Sequence, residues 1–332
     1  MKLFVYSFRS FDEKEIFDKL QENYSFEYGY TSEYPSVENA YLASGYDAVS
    51  FTPCTCDKNL IDAFHSVGVK YIAARSIGFN HIDIDYAHSL GMGVCHVEYA
   101  PDTVADYTVM MMLMGCRKAA HIFKRAELQD YSLKGKLGKD LCDCTVGIIG
   151  TGKIGSTVIK RLNAFGCKIL AYDMYKNDDI TDICTYVELD VLLKESDIIS
   201  LHCLVTEATT HLLDKNAFNK MKKDVMIINT ARGLLIDTDA LISAISDGKV
   251  GFAGLDVLEN EDGLYYYNRI GDCITNYQMA ILRSFPNVLL MPHTAFYTEK
   301  VVYSMAQNVV KGVIDMIEGN PNPLINKQKE YT

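Results

Sequence analysis

The chain has 332 residues, more than one hydrophobic core usually serves, so two domains are expected. Hydrophobic residues make up 48% and charged residues 23%, which excludes a disordered or fibrous protein. The 32 Lys plus Arg against 43 Asp plus Glu give a net charge of −11, which repels a phosphate backbone and excludes nucleic acid as the main partner.

The N-terminal MKLFVYSFRSFDEKE turns charged too soon for a signal peptide. The run Val109–Cys116 is too short to span a bilayer, so a soluble cytoplasmic protein without membrane contact is expected. Ten cysteines in a chain of this length read as reduced thiols. The pairs Cys54/Cys56 and Cys142/Cys144 lack C-x-x-C spacing and ligand partners, so they read as structural and no metal is expected.

Along the chain, Lys2–Phe8 predicts a strand, Asp12–Asn23 a helix, Asp47–Phe51 a strand and Asn59–Val67 a helix. Strands at Tyr71–Ala74 and near Val94–Val97 follow. This alternation argues for βαβ units and a parallel sheet. Pro101 and Asp102 open a helix that is apolar nearly all round from Val104 to Cys116, so it must be covered on most sides. A second series predicts strands at Val146–Ile149, Lys168–Tyr172, Ile198–Leu201, Val225–Asn229, Gly254–Val257 and Val288–Met291. From Glu299, apolar rows at Val301, Met305, Val309, Val313 and at Val302, Ala306, Val310, Ile314 form a broad helical stripe. Asn320-Pro321-Asn322-Pro323 is expected to stop that helix.

Gly150-Thr151-Gly152-Lys153-Ile154-Gly155 fits G-x-G-x-x-G and lies between a strand and a helix pattern. Gly150 serves the tight turn, Gly152 the approach of backbone to a pyrophosphate, and Gly155 the packing of helix on strand. Asp173, about twenty residues on and just after a strand, suits the ribose hydroxyls and repels a 2′-phosphate, which selects NAD. The plain alternative is a strand–turn–helix with a solvated Asp.

Reduction of a small oxo acid needs a cation for the carboxylate, an acid/base, and a partner that holds the base. Arg232, Glu261 and His293 each follow a predicted strand, and strand carboxyl ends of an open α/β sheet face one crevice. Singly, each has a plainer reading: a surface cation, a solvated member of the acidic run Glu259–Asp262, and a structural histidine.

Taken together, VGIIGTGKIG, INTARGLLIDTDAL, GLDVLENE and MPHTAFYT resemble the NAD-dependent D-2-hydroxyacid dehydrogenases, as do Ala74–Asp83 and Tyr99–Tyr107. The resemblance spans essentially the whole chain and is closest to D-lactate dehydrogenases, including those of vancomycin-resistance type. It implies that Arg232 binds the substrate carboxylate, that His293 is the acid/base, and that Glu261, not Glu259, hydrogen-bonds the histidine. It further implies substrate contacts from the backbone of Ile77 and Gly78, with Tyr99 and Phe296 nearby. Lys153, Ile154, Asp173, Cys203, Leu204, Thr230 and Asp256 match cofactor-contacting positions, with Asp256 facing the nicotinamide amide. The implied architecture is α/β, with two Rossmann-like/flavodoxin-like parallel-sheet domains and a cleft between them. The substrate domain would be residues 1–100 plus 299–332 and the NAD domain 101–298, with the helix after Pro101 forming a homodimer. The implied reaction is reduction of pyruvate to (R)-lactate with NADH.

Two departures stand out. Leu204 replaces a proline common among relatives, and Thr52 replaces a tyrosine common in D-lactate enzymes, which implies a larger side-chain pocket. Branched or aromatic 2-oxo acids are therefore alternative substrates. An NAD-sensing corepressor-like module is the alternative from another class, and a phosphoglycerate dehydrogenase would normally carry a further regulatory extension.

Overall fold

The computed structural model describes residues 1–79, 81–261 and 263–326. Asn80 of the Ala74–Asp83 segment, Asp262 of the acidic run and the last six residues of the expected first domain lie outside them. The chain divides into two compact units, Met1–Ala100 with the chain from Tyr297 onward, and Pro101–Phe296.

The first unit opens with β1 (Lys2–Val5), α1 (Lys14–Asn23), β2 (Glu27–Tyr30), β3 (Ala48–Phe51), α2 (Lys58–Ser66), β4 (Tyr71–Ala74), α3 (Ile84–Ser89) and β5 (Gly93–Cys95). The second unit holds α4 (Asp102–Cys116), α5 (Ala119–Glu127), β6 (Thr145–Ile149), α6 (Lys153–Asn163), β7 (Lys168–Tyr172) and β8 (Thr185–Tyr186). It continues with α7 (Leu189–Glu195), β9 (Ile198–Leu201), α8 (Lys215–Lys220), β10 (Val225–Asn229), α9 (Thr238–Ser246), β11 (Val250–Leu255), α10 (Tyr277–Ser284) and β12 (Val288–Leu290). The chain then returns to the first unit as α11 (Glu299–Glu318) and β13 (Ile325–Asn326).

The first sheet runs β13-β5-β4-β3-β1-β2. Without β13 this is the 2-1-3-4-5 order of flavodoxin-like folds. β13 pairs antiparallel with β5, so the sheet is parallel except at that edge. Val5 is in register with Ser50, and Phe51 with Ala74, so β1, β3 and β4 end side by side. The expected strand Lys2–Phe8 is cut to Lys2–Val5 because Ser7 takes a left-handed backbone, φ 47°. α11 lays its buried row, Val301, Val302, Met305, Val309, Val310 and Val313, on this unit, where each large aliphatic side chain contributes roughly 1.5–3 kcal/mol by leaving water. Gly319, φ 71°, terminates α11 as a left-handed cap, one residue ahead of the expected Asn-Pro stop.

The second sheet is wholly parallel, in the order β12-β11-β10-β9-β6-β7-β8. It is the dinucleotide-binding order, with the switch point between β6 and β9. Side chains alternate between two cores on its two faces: Val225 and Ile227 of β10 belong to one, Met226 and Ile228 to the other. Burial on both faces explains why these strands read as unbroken apolar runs. β11 occupies Val250–Leu255 rather than the expected Gly254–Val257, because its ladder with β10 begins at Val250 and ends at Leu255. Asp256 and Val257 are therefore loop residues beyond the strand.

Candidate active site

Register places the second unit's predicted site residues along one sheet edge. Ile149 pairs with Tyr172 and Leu201, Asn229 with Leu201 and Leu255, and Leu255 with Leu290. The residues that follow, Gly150, Asp173, Cys203, Thr230, Asp256 and His293, thus all leave the carboxyl ends of adjacent strands.

At the switch point the glycines do separate work. Gly150 has φ 95°, and a Cβ there would lie 2.5 Å from the Cys203 amide nitrogen. A Cβ at Gly155 would collide with the Gly150 carbonyl, so this glycine lets α6 press on the turn. A Cβ at Gly152 would meet nothing within 4 Å, which leaves backbone open to an approaching ligand, and no side chain caps α6 there. Asp173 is aimed by its neighbours: Oδ2 accepts the Thr151 amide at 2.6 Å and Oδ1 the Tyr175 amide at 3.0 Å. Ile154 and Cys203 are half-buried, Lys153 is exposed, and Leu204 lies exposed on the loop after β9. Thr230 is buried, its hydroxyl 2.8 Å from that of Thr108 on α4.

Beyond β11 and β12 the chain builds a histidine–carboxylate pair. His293 Nδ1 lies 2.6 Å from Glu261 Oε1, while Glu261 Oε2 accepts the Leu258 amide at 2.7 Å. Glu259, two residues earlier, is engaged elsewhere: it bonds His211 Nε2 at 2.7 Å and accepts the Thr238 amide at 2.9 Å. Position 261, and not 259, therefore reaches the histidine. His293 itself is left-handed, φ 53°, a conformation that costs a non-glycine residue and persists only where surroundings enforce it. Its amide donates to the Asp256 carbonyl at 2.8 Å and its carbonyl accepts the Tyr266 hydroxyl at 2.9 Å. Phe296 packs edge-on, its ring 6.4 Å from that of His293.

Asp256 is bound to the turn that carries the histidine. Its side chain is 0% exposed, with Oδ1 accepting the Thr294 amide and Oδ2 the Ala295 amide, both at 2.9 Å. Burial raises this carboxyl above its ordinary value, and the two amides oppose that. It clamps the His293–Ala295 turn. Arg232 follows β10 with an exposed side chain; Asn229 Nδ2 donates to its carbonyl at 2.8 Å, and Nη1 donates to the Ala231 carbonyl at 2.7 Å.

The remaining predicted substrate residues belong to the first unit. Ile77 and Gly78 follow β4, where Ser76 Oγ donates to the Gly78 carbonyl at 2.6 Å, and Tyr99 is half-buried after β5. Thr52 follows β3, 8% exposed, and its hydroxyl donates to Ser7 Oγ at 2.8 Å.

Comparison with known proteins agrees with this geometry. Residues 109–295 match the model of the D-isomer specific 2-hydroxyacid dehydrogenase, NAD binding domain. The chain belongs to the D-isomer-specific 2-hydroxyacid dehydrogenases. It is 39% identical over 316 residues to an aromatic 2-oxoacid reductase of Clostridium sporogenes, covering 92% of this chain and 93% of that one. It is 40% identical over 305 residues to a D-specific alpha-keto acid dehydrogenase of Enterococcus faecalis, with 92% and 93% covered. The apo-structure of D-lactate dehydrogenase from Escherichia coli superposes with a TM-score of 0.88 at 34% identity, covering 98% of this chain and all of that one.

As a member of this family the chain is an NAD-dependent oxidoreductase acting on CH–OH donors. The dinucleotide fits the observed residues: open backbone at Gly152, an uncapped helix terminus for its phosphates, and Asp173 for its ribose. Sequence reasoning overlooked Tyr266, whose hydroxyl holds the His293 carbonyl, and the Glu259–His211–Thr238 set that ties down the Glu261 loop. No local spacing could have found these, because every partner is 20 or more residues away.

Proposed function

We propose that this dehydrogenase reduces pyruvate to (R)-lactate with NADH, as a cytoplasmic homodimer. The observation that carries the reading is the His293–Glu261 pair, standing on the same sheet edge as the Gly150–Gly155 turn. Arg232 grips the substrate carboxylate, with Phe296 beside His293; the family resemblance also assigns substrate contacts to the backbone of Ile77 and Gly78 and to Tyr99. When bound, NADH supplies the hydride that the keto carbon accepts. His293 gives its proton to the carbonyl oxygen, which becomes the hydroxyl, and Glu261 stabilises the imidazolium before transfer. In lactate oxidation the imidazole takes that proton back. Asp256 holds the turn that aims His293.

Thr52 favours a second reading. A short side chain turned back onto Ser7, where D-lactate enzymes of the family often carry tyrosine, suits a larger substrate side chain, and the Clostridium sporogenes relative is named for aromatic 2-oxo acids. An NADH-oxidation assay with pyruvate, 2-oxoisocaproate and phenylpyruvate, followed by chiral analysis, separates the two. The highest kcat/KM for pyruvate with (R)-lactate as product supports the first reading; a higher value for either bulkier acid replaces it with the second. NADH binding without turnover on any of them would move the chain to the NAD-sensing class.

The dimer reading rests on α5, which has no buried residue although Phe123 and the following Leu128, Tyr131, Leu133 and Leu137 are large and apolar. Much of α4 is instead covered within its own unit, by α6 and β11 among others. A second copy covering the α5 segment would remove this surface from water. Light scattering is expected to give twice the monomer mass, and Phe123→Asp with Leu133→Asp the monomer; an unmodified protein of monomer mass refutes the dimer. A cytoplasmic location is supported by ten free thiols. No helix among the described residues is long and apolar enough to cross a membrane.

A further inference from the structure

Arg75 is the largest side chain in the described protein with no exposed surface, 0% accessible, and it sits where β4 ends. Its Nη2 donates to the carbonyls of Tyr6 at 2.9 Å and Ser7 at 3.0 Å, and Nη1 donates to the Ser50 carbonyl at 3.4 Å. One guanidinium thus ties together the carboxyl ends of β1, β3 and β4. Its charge is answered by Glu13, 2% exposed, whose Oε1 lies 3.3 Å from Arg75 Nε and 3.3 Å from Arg9 Nη2. Glu13 Oε2 accepts the Arg9 amide at 2.7 Å.

The clamp also explains Ser7. Its left-handed backbone is held by Arg75 on its carbonyl, by its amide donating to the Glu33 carbonyl at 2.7 Å, and by its Oγ accepting the Thr52 amide at 3.0 Å. Taking two ions out of water costs several kcal/mol each, and well-packed apolar replacements of a buried pair are often neutral or stabilising. Stability therefore gives no reason for an ion pair here. What the pair does provide is a fixed height for three strand ends, two residues before Ile77.

We propose that Arg75, paired with Glu13, is a positioning residue: it sets the Ser76–Gly78 turn so that the Ile77 and Gly78 backbone meets the substrate carboxylate. This rests on the function proposed above. Arg75 itself touches no substrate; it acts through the turn that follows it. Carboxylate contacts made equally in ground and transition states affect KM and leave kcat in place.

The test compares the full-length enzyme with Arg75→Met, which keeps the length of the stem without the charge, and with Glu13→Gln, which keeps an acceptor for the Arg9 amide. In Arg75→Met, KM for the best 2-oxo acid is expected to rise about tenfold or more, with kcat changed by less than about threefold. NADH affinity, set by the second unit, should stay within about twofold. Glu13→Gln should move KM in the same direction by a smaller factor, and serves if Arg75→Met does not fold. Amide exchange at Ile77 and Gly78 should quicken in both. A folded variant with lowered thermal stability and unchanged KM overturns the inference, since that is what a merely structural arginine would do. A wild type that reduces no 2-oxo acid overturns the proposed function first and this inference with it.

Discussion

Replacing His293 by Gln is expected to lower kcat for 2-oxo acid reduction by about 10²–10⁴-fold, the range supplied by a positioned general acid. NADH affinity should be unchanged, because Gly152, Asp173 and α6 are untouched. The size of the effect follows from how much of the fold is spent on this one ring. Its backbone is left-handed, its amide and carbonyl are both held, and Nδ1 is taken by Glu261 at 2.6 Å. That arrangement leaves Nε2 as the nitrogen for the substrate oxygen. Glu261→Gln provides the control. An amide in place of the carboxylate no longer answers the charge of the imidazolium that donates the proton, so kcat should fall while NADH affinity stays the same. A loss of less than tenfold for His293→Gln, or a kcat unchanged in Glu261→Gln, would remove the pair from the chemistry.

The second large effect is expected at Arg232. Arg232→Met should lower kcat/KM by about 10²–10⁴-fold, the equivalent of roughly 3–6 kcal/mol for two charge-assisted hydrogen bonds to a carboxylate. Arg232→Lys should recover little, because an ammonium cannot reproduce the planar two-point grip. The exposed guanidinium is delivered by a short, internally bonded turn: Asn229 Oδ1 accepts the Ala231 amide at 3.0 Å while its Nδ2 donates to the Arg232 carbonyl. Steady-state kinetics on all three side-chain classes of substrate checks this, since every 2-oxo acid carries the same carboxylate. A variant that loses activity on one acid alone would make Arg232 a side-chain selector instead.

Much of the molecule was legible before any coordinates. The strands Lys168–Tyr172, Ile198–Leu201 and Val225–Asn229 lie where their apolar runs put them, because a parallel strand buried on both faces writes its own limits in the sequence. The glycine spacing at Gly150–Gly155 is equally legible, since one short turn carries all three: Gly150 and Gly155 stand where a Cβ would collide, and Gly152 where backbone is left open. Short edge strands were not legible: β2, β8 and β13 have between two and four residues and are strands only because a neighbour pairs with them.

The order of motifs along the chain thus determined the class of fold, the dinucleotide turn and the residue types for hydride chemistry on an oxo acid. What the tertiary structure alone decided was partnership. It gave Glu259 to His211, made Asp256 a clamp on the His293–Ala295 turn, and gathered three strand ends around Arg75. The reason is physical. Apolar periodicity and glycine spacing are properties of a few consecutive residues, whereas a hydrogen bond or ion pair between residues tens of positions apart exists only after the strands that carry them have set their register.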